Sequence, residues 1–219
     1  MARLARIVVP GYPHHVIQRG CRRQATFFQE TDYSLYLTLM SKWCRRYDVA
    51  IWAYCLMPNH FHLVAFPSAE DGLAKAVGSA HRAYALKINE REKWTGHLWQ
   101  ERFSFFVMDE PHLLAAVRYV ELNPVRAGLV ENAADYRWSS SSAHFSGNDD
   151  VLVQVRPMLE RISLSSWEDY LAIAENETSR CFQESGKSGR PLGSDDFIAS
   201  VEKIVGRSLR PRKRGRKKK

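Results

Sequence analysis

The sequence predicts an α+β protein, and three observations lead to that class. Runs rich in β-branched and aromatic residues alternate with stretches in which apolar residues recur at helical spacing. A Pro-Asn pair separates two of the β-rich runs and marks a hairpin turn. No apolar run approaches the length of a membrane span. The resulting order, β-α-β-β-α-β, is that of the ferredoxin-like arrangement, an antiparallel sheet with both helices on one face.

Each element of this sheet has its own signal in the sequence. The β-rich runs predict four strands, at 14–19, 49–57, 60–66 and 98–108. The first predicted helix covers about 31–47, where the apolar residues at helical spacing are Tyr36, Met40, Trp43 and Tyr47. The second predicted helix carries a longer stripe, formed by Leu73, Val77, Ala80, Tyr84 and Ile88. Both helices are therefore expected to bury one face.

The rest of the chain predicts an added helix and a helical C-terminal extension. The added helix covers about 110–122 and ends before Pro124, which disfavours the α conformation in the residue that precedes it. Beyond it we expect a loop over 139–150 and helices near 165–177 and 195–205. The Gly-rich link 185–194 lacks the spacing of a phosphate-binding loop, so it predicts no nucleotide cofactor.

These elements divide the chain into three expected units. They are a catalytic domain over 1–137, the helical extension over 138–206 and a disordered basic tail over 207–219. The tail contains nine Lys or Arg and no acid, so the rest of a chain with a formal charge of +8 is close to neutral. Within that rest, residues 1–107 are net basic and 108–206 are net acidic. A polyanion is therefore expected to meet the first half and the tail.

Two histidines on one predicted strand are the first candidates for a functional site. Side chains alternate along a strand, so His60 and His62 point to the same side, together with Val64. Neutral imidazoles placed in this way can both bind one divalent ion. The same pattern fits two hydrogen-bonded histidines of the core, and the sequence favours neither interpretation. The two histidines of the first strand, in GYPHHVIQRG, fit a strand edge and are assigned no role.

The added helix offers groups that would complete the site. Its apolar stripe is formed by Leu113, Val117 and Val120. Tyr119 and Asn123 lie together on a different face, one turn apart. A surface tyrosine needs no special role, but the amide oxygen of Asn123 suits a hard cation. Two histidines and an amide oxygen leave coordination positions open, which favours Mg²⁺ or Mn²⁺ over a closed zinc site. A phenol placed in line with a metal-bound phosphodiester can attack the phosphorus atom.

Five segments of the sequence resemble the REP-associated tyrosine transposases, relatives of the single-tyrosine HUH transposases of insertion sequences. They are, in chain order, MPNHFHLV, LWQERF, RYVELNPVRAGLV, YRWSS and GRPLGSDDF. The resemblance implies a metal-dependent endonuclease and strand transferase, a transposase that acts on single-stranded DNA hairpins of repetitive extragenic palindromes.

The resemblance also implies roles for single residues. His60 and His62 would hold the ion, and Tyr119 would take a 5′-phosphate and leave a free 3′-hydroxyl. Asn123 stands where relatives place a polar residue, sometimes Gln, and it would bind the ion directly or through water. No second tyrosine accompanies Tyr119, and the one rival nucleophile is Tyr84, which lies on a core stripe.

Basic residues outside the site are candidates for DNA contacts. Arg19, Arg22 and Arg23 follow the first strand in a loop, where recognition residues gather. Arg82 on the second helix and Arg118 beside the tyrosine are further candidates that equally fit solvated surface charges. The tail adds four candidates, Arg212, Lys213, Arg214 and Arg216.

Two other functions share these features. A regulatory protein that binds hairpin DNA without cutting it would keep the same surface, and a metal-dependent hydrolase of small phosphates would keep the same ligands. The four candidate active-site residues favour the enzyme, and the basic tail counts against the hydrolase. We expect a monomer or weak dimer that binds single-stranded hairpin DNA and no membrane. Because the cysteines match no disulfide or zinc spacing and the amino terminus lacks a signal-peptide core, we expect a cytoplasmic, nucleoid-associated protein.

Overall fold

The computed structural model describes residues 7–162, 166–173 and 178–210. It contains a four-stranded antiparallel sheet whose spatial order is β2-β3-β1-β4. The strands are β1 (His14–Arg19), β2 (Val49–Met57), β3 (His60–Pro67) and β4 (Ser104–Val107). This sheet confirms the predicted fold class, and the predicted hairpin joins β2 to β3.

Two long helices cover one face of the sheet. α1 (Glu30–Arg46) follows β1, and α2 (Gly72–Glu92) follows β3. α1 begins at a capping box, in which the side chains of Gln29 and Asp32 each accept a hydrogen bond from the other residue's backbone N–H. The predicted stripe of α2 is buried against the sheet, with Leu73 and Tyr84 among its fully buried residues. In α1, Tyr36 and Met40 are fully buried, whereas the predicted stripe residues Trp43 and Tyr47 are half-buried. This burial forms the main core of the protein.

The opposite face of the sheet is covered by α3 (Glu110–Glu121) and by the chain that follows it. The Asp109 side chain starts α3 by accepting a hydrogen bond from the backbone N–H of His112 at 3.2 Å. The predicted apolar stripe of α3 is fully buried, at Leu113, Val117 and Val120. A short helix, α4 (Asn123–Arg126), follows α3 directly and carries Pro124 in its first turn.

The chain beyond Trp138 folds back onto this second face. Its helices are α5 (Ser141–Ser146), α6 (Arg156–Leu159), α7 (Trp167–Ala172), α8 (Thr178–Ser188) and α9 (Asp195–Val205). Trp167 and Phe182 are buried in a second core that includes the α3 stripe. Leu209 is buried beside α9, and the tail residues from 211 onward, with all four predicted tail contacts, lie outside the described residues. Across the described ranges, none of the helices combines the length and apolarity needed to cross a membrane.

Several predicted boundaries are wrong. The strand expected over 98–108 begins only at Ser104, because Glu101 has a left-handed φ of 55° that interrupts extended backbone. The loop expected over 139–150 contains α5, and the link expected over 185–194 begins with the last turn of α8. The helix expected over 165–177 is α7, which ends at Ala172. The three polar segments, 139–150, 165–177 and 185–194, carry little apolar periodicity. Contacts with the rest of the protein therefore decide their structure.

Candidate active site

Three histidines meet on the second face of the sheet: His15 and His62 are buried, and His60 is half-buried. His60 and His62 lie on β3 with their ring centroids 5.1 Å apart. His15 lies on the neighbouring strand β1, opposite Val64 in the antiparallel register. Its Nε2 is 3.0 Å from Nδ1 of His62, and the two rings stack with centroids 5.1 Å apart. His15 was assigned no role from the sequence, because the register that pairs β1 with β3 has no local signal.

The hydrogen bonds of His60 orient its imidazole. The Asn59 side chain donates through Nδ2 to the carbonyl oxygen of Arg23 at 3.1 Å, so its Oδ1 is an acceptor. That Oδ1 lies 2.6 Å from Nδ1 of His60 and accepts the Nδ1 proton. Nε2 of the neutral ring therefore carries a lone pair, as a metal ligand requires.

Burial keeps all three imidazoles neutral. It lowers the pKa of His15 to about 3, and burial together with the charge of Arg19 lowers the pKa of His60 to about 4. Burial also holds the pKa of His62 well below its ordinary value, helped by the neighbouring histidines, Arg19 and Arg126. Neutral imidazole is the form that coordinates metal ions, so the histidines are available as ligands at neutral pH.

Tyr119 projects from α3 toward these histidines. Its ring centroid lies 5.5 Å from that of His62 and 5.9 Å from that of His15, and both contacts are edge-on. The side chain is half-buried, in contrast to the fully buried stripe on the same helix. The structure therefore brings together the tyrosine and the histidines that strand and helix periodicity had selected.

Two residues of α4 meet the backbone of Tyr119. Asn123 donates through Nδ2 to the Tyr119 carbonyl oxygen at 3.1 Å, which leaves its Oδ1 as an acceptor for a cation or a water molecule. The guanidinium of Arg126 donates to the same carbonyl oxygen, and its Cζ lies 4.2 Å from the centroid of the Tyr119 ring. Arg126 was not predicted as a site residue, although its spacing of seven from Tyr119, about two helical turns, was a usable signal.

Phe182 of α8 packs against the site from the β1–β4 side of the same face of the sheet, where its ring also stacks on Phe106. It is 1% exposed, and its ring centroid lies 5.2 Å from that of Tyr119 and 5.5 Å from that of His15. A Cβ atom added at Gly186, one turn further along, would lie 3.1 Å from Cδ1 of Ile17 on β1. The close approach of α8 to β1 therefore depends on a small residue at this position.

Arg19, Arg22 and Arg23 lie beside the site, next to the β2–β3 turn. Arg19 pairs with His60 in the β1–β3 register. Arg22 and Arg23 are exposed and have left-handed φ angles of 53° and 61°, a conformation that costs a non-glycine residue roughly 1–2 kcal/mol. The hydrogen bond from Asn59 to the Arg23 carbonyl oxygen ties their loop to the turn that precedes His60. The loop therefore holds this predicted cation cluster close to the histidines.

The other two predicted cations lie elsewhere. Arg82 is exposed on α2, on the opposite side of the sheet, where it lines an open cavity of about 490 Å³ with His81 and Trp99. Arg118 is half-buried on α3, and its Cζ lies 5.6 Å from the ring centroid of Tyr170. Neither is placed beside the histidine site by these contacts.

The neutral imidazoles of His60 and His62 are donors that a divalent cation could use. Two imidazole nitrogens and the amide oxygen of Asn123 would leave positions open for phosphate oxygens, as Mg²⁺ and Mn²⁺ require. Within the ranges that the structure describes, no group of three or more His, Cys, Asp or Glu side chains is arranged to hold a metal ion. The predicted third ligand, Asn123, is an amide and not one of these four residue types; its hydrogen bond to the Tyr119 carbonyl oxygen places it one turn after the tyrosine.

The chain matches a known family of proteins over more than half of its length. The family model for IS200-like transposases matches residues 8–123, more than half of the chain. The chain therefore belongs to the IS200-like transposase family, a class of DNA-processing enzymes.

Two similar proteins both carry the name REP-associated tyrosine transposase. A Haemophilus influenzae protein provisionally named REP-associated tyrosine transposase is 27% identical over 139 residues, which cover 58% of this chain and 76% of that protein. The solved structure of a REP-associated tyrosine transposase bound to a REP hairpin has the same fold, with a TM-score of 0.58 and 19% identity over 71% of this chain and 93% of that one. The resemblance to REP-associated tyrosine transposases that was predicted from five segments is confirmed.

Proposed function

We propose that this protein is a metal-dependent single-stranded DNA endonuclease and strand transferase that cleaves and rejoins hairpin-forming repetitive palindromes through a 5′-phosphotyrosine. One observation carries the proposal: the Tyr119 ring lies 5.5 Å from the ring of His62, so a nucleophile and a metal ligand face the same space. The relative of known structure is bound to a REP hairpin, which supports the same class of substrate for this chain.

Tyr119 acts as the nucleophile toward the scissile phosphodiester. Its phenol gives up a proton to water, its oxygen forms a bond to phosphorus, and the bond between phosphorus and the 3′-oxygen breaks. The 3′-oxygen takes up a proton and leaves as a hydroxyl, while the 5′-phosphate stays on Tyr119. Attack of a 3′-hydroxyl on this phosphotyrosine reverses the steps, so rejoining requires no nucleotide cofactor.

The surrounding residues prepare the phosphate for this attack. His60, His62 and Asn123 would hold Mg²⁺ or Mn²⁺, and a divalent ion bound there supplies Lewis-acid polarisation of the phosphate. Arg126 holds a permanent positive charge over the phenol ring, where it can pair with a phosphate oxygen and stabilise the negative charge that develops on the phosphate.

Replacing Arg126 with glutamine should slow formation of the covalent adduct by about 100-fold, the usual effect of losing one electrostatic contact to the reacting group. Arg126→Lys should recover part of the rate, because it keeps the charge and loses the planar fork. Single-turnover adduct formation with saturating DNA measures the effect. Arg137 is a matched control, since its guanidinium also lies over an aromatic ring, that of Trp138, but away from the histidines. An Arg126→Gln rate equal to that of Arg137→Gln would contradict the role of Arg126.

A regulator that binds hairpin DNA without cutting it is the second candidate function. Phe182 favours it, because this buried side chain packs against both Tyr119 and His15 and covers part of the site. A binder of this kind would keep the arginine loop beside the β2–β3 turn and have no use for the phenol.

Labelling a hairpin substrate at its 3′ end or at its 5′ end distinguishes the enzyme from the regulator. The full chain is mixed with single-stranded hairpin DNA and Mn²⁺, and the products are separated in SDS. Cleavage through a 5′-phosphotyrosine should leave a 3′-end label on the protein and release a 5′-end label on a shorter strand. EDTA should abolish both products. Tight hairpin binding with neither product would support the regulator.

Removing residues 211–219 should weaken hairpin binding by about tenfold or more at roughly 0.1 M salt and make its salt dependence shallower. The segment contains seven Lys or Arg, which can neutralise DNA phosphates. The Leu209 backbone N–H donates to the Glu202 carboxylate at 2.6 Å, which ties this part of the chain to α9. The deletion therefore begins after Arg210, so that this contact is kept. Fluorescence anisotropy at several salt concentrations measures both effects. A tail of scrambled order should restore binding, and full affinity without any tail would show that the segment does not bind phosphates.

A further inference from the structure

Strand β1 carries two adjacent buried histidines that face opposite sides of the sheet. His14 packs against Phe105 on the α1–α2 side, where its Nε2 accepts from the Val9 backbone N–H at 3.1 Å and its Nδ1 donates to the Tyr12 carbonyl oxygen at 2.8 Å. Backbone groups therefore satisfy both ring nitrogens of His14. His15 faces the candidate active site, and its hydrogen-bond partner is the side chain of His62.

A single proton lies between Nε2 of His15 and Nδ1 of His62, and its position decides whether His62 can bind a metal ion. If His15 donates, the neutral His62 ring carries its own proton on Nε2, which then cannot coordinate. If His62 donates from Nδ1, its Nε2 has a free lone pair. His60 is already fixed in this second arrangement by Asn59.

Packing alone does not explain a histidine at position 15. The side chain has no exposed surface and lies among the rings of Phe106, Tyr119 and Phe182. Its Nδ1 is buried and finds no hydrogen-bond partner in the described part of the chain. An unsatisfied buried nitrogen is unfavourable, so an apolar residue would suit a purely structural position better.

We infer that His15 is a positioning residue for the metal site: it accepts the Nδ1 proton of His62 and so leaves Nε2 of His62 to coordinate Mg²⁺ or Mn²⁺. This inference rests on the proposed function, since it assigns His62 to the metal. His15 itself then holds its proton on Nδ1. Nδ1 of His15 has no hydrogen-bond partner within the described residues in either tautomer, so it shows the cost of a histidine at position 15 and does not itself decide where the shared proton lies.

Nitrogen-15 NMR of the metal-free full chain tests the tautomer directly. Ring nitrogens with and without a proton have widely separated chemical shifts, and a His62→Gln variant assigns the signals. We expect His62 to be protonated on Nδ1 and His15 also on Nδ1. A His62 ring protonated on Nε2 would overturn the inference, whatever the activity of the protein.

Mn²⁺ binding to the full chain, measured by electron paramagnetic resonance, tests the consequence. His15→Phe keeps the ring and removes the acceptor, and should weaken Mn²⁺ binding by about 10–100-fold. His15→Gln places an amide oxygen near the position of Nε2, so this variant keeps an acceptor for the Nδ1 proton of His62. Its Mn²⁺ affinity should stay within about threefold of that of the original chain. His14→Phe is the matched control, which should lower thermal stability and leave Mn²⁺ affinity unchanged.

The outcomes separate this inference from the proposed function. Unchanged Mn²⁺ affinity in folded His15→Phe, or equal losses in the Phe and Gln variants, would overturn the positioning role and leave the metal-dependent enzyme intact. Absence of Mn²⁺ binding in the original chain would overturn both. If His15→Phe does not fold, the Gln variant and the NMR tautomer decide.

Discussion

Tyr119→Phe is expected to reduce the covalent protein–DNA adduct by more than about 10⁴-fold, to the background of the assay, because removal of a nucleophile eliminates the covalent pathway. The substitution removes one oxygen atom and keeps the ring that packs against His62 and Phe182. Hairpin affinity should therefore stay within about threefold, a change of less than roughly 1 kcal/mol. Adduct formation and binding are measured on the same preparation, so that loss of chemistry is separated from loss of binding.

Tyr84 provides the matched control for this substitution. Its side chain is fully buried in the main core, and its hydroxyl donates to the Thr26 carbonyl oxygen at 2.7 Å. Burial raises the pKa of this phenol, which makes it a poorer nucleophile still. Tyr84→Phe should lower the free energy of unfolding by about 1–2 kcal/mol and leave the adduct intact. Adduct that persists in Tyr119→Phe and disappears in Tyr84→Phe would reverse the two roles.

The sheet, the two histidines of β3 and the tyrosine of α3 could be predicted from the sequence because local periodicity determines them. Alternation along one strand is enough to place His60 and His62 on one side. The 100° step of a helix is enough to separate Tyr119 from the buried stripe. The turn between the two strands is signalled by Pro58 and Asn59 alone.

The rest of the site depends on contacts between distant segments. His15 reaches His62 only through the β1–β3 register. Phe182 arrives on α8, a helix whose own sequence gives little indication that it forms. In β2, Ile51 pairs with Ala65 whereas Ala53 pairs with Val64, so a bulge at Trp52 changes which residues face the site. Such register shifts leave no trace in an alternation pattern.

Glu121→Ala is expected to lower the free energy of unfolding by about 3–5 kcal/mol, the effect of breaking a buried polar network. The Glu121 carboxylate has no exposed surface and lies two residues after the candidate nucleophile. It accepts hydrogen bonds from Ser140 Oγ at 2.7 Å, His144 Nδ1 at 2.6 Å and Trp167 Nε1 at 3.3 Å. Ser140 Oγ also accepts from the Tyr54 backbone N–H at 3.0 Å, so one carboxylate joins α3 to β2, α5 and α7. Chemical denaturation followed by tryptophan fluorescence measures the loss.

Glu110 is the control on the same helix, because it is exposed and its ion pair, with Arg161, lies at the surface. Glu110→Gln should change stability by less than about 0.5 kcal/mol. Glu121→Gln keeps the volume and one acceptor oxygen, so it should lose less than the alanine variant, about 1–3 kcal/mol. If Glu121→Gln is folded, adduct formation should still fall, because the carboxylate holds the segment of α3 that aims Tyr119 at His62. A folded Glu121→Gln protein with unchanged stability and unchanged adduct formation would mean that the apolar stripe alone sets the position of α3, and that the C-terminal extension covers the site without orienting the nucleophile.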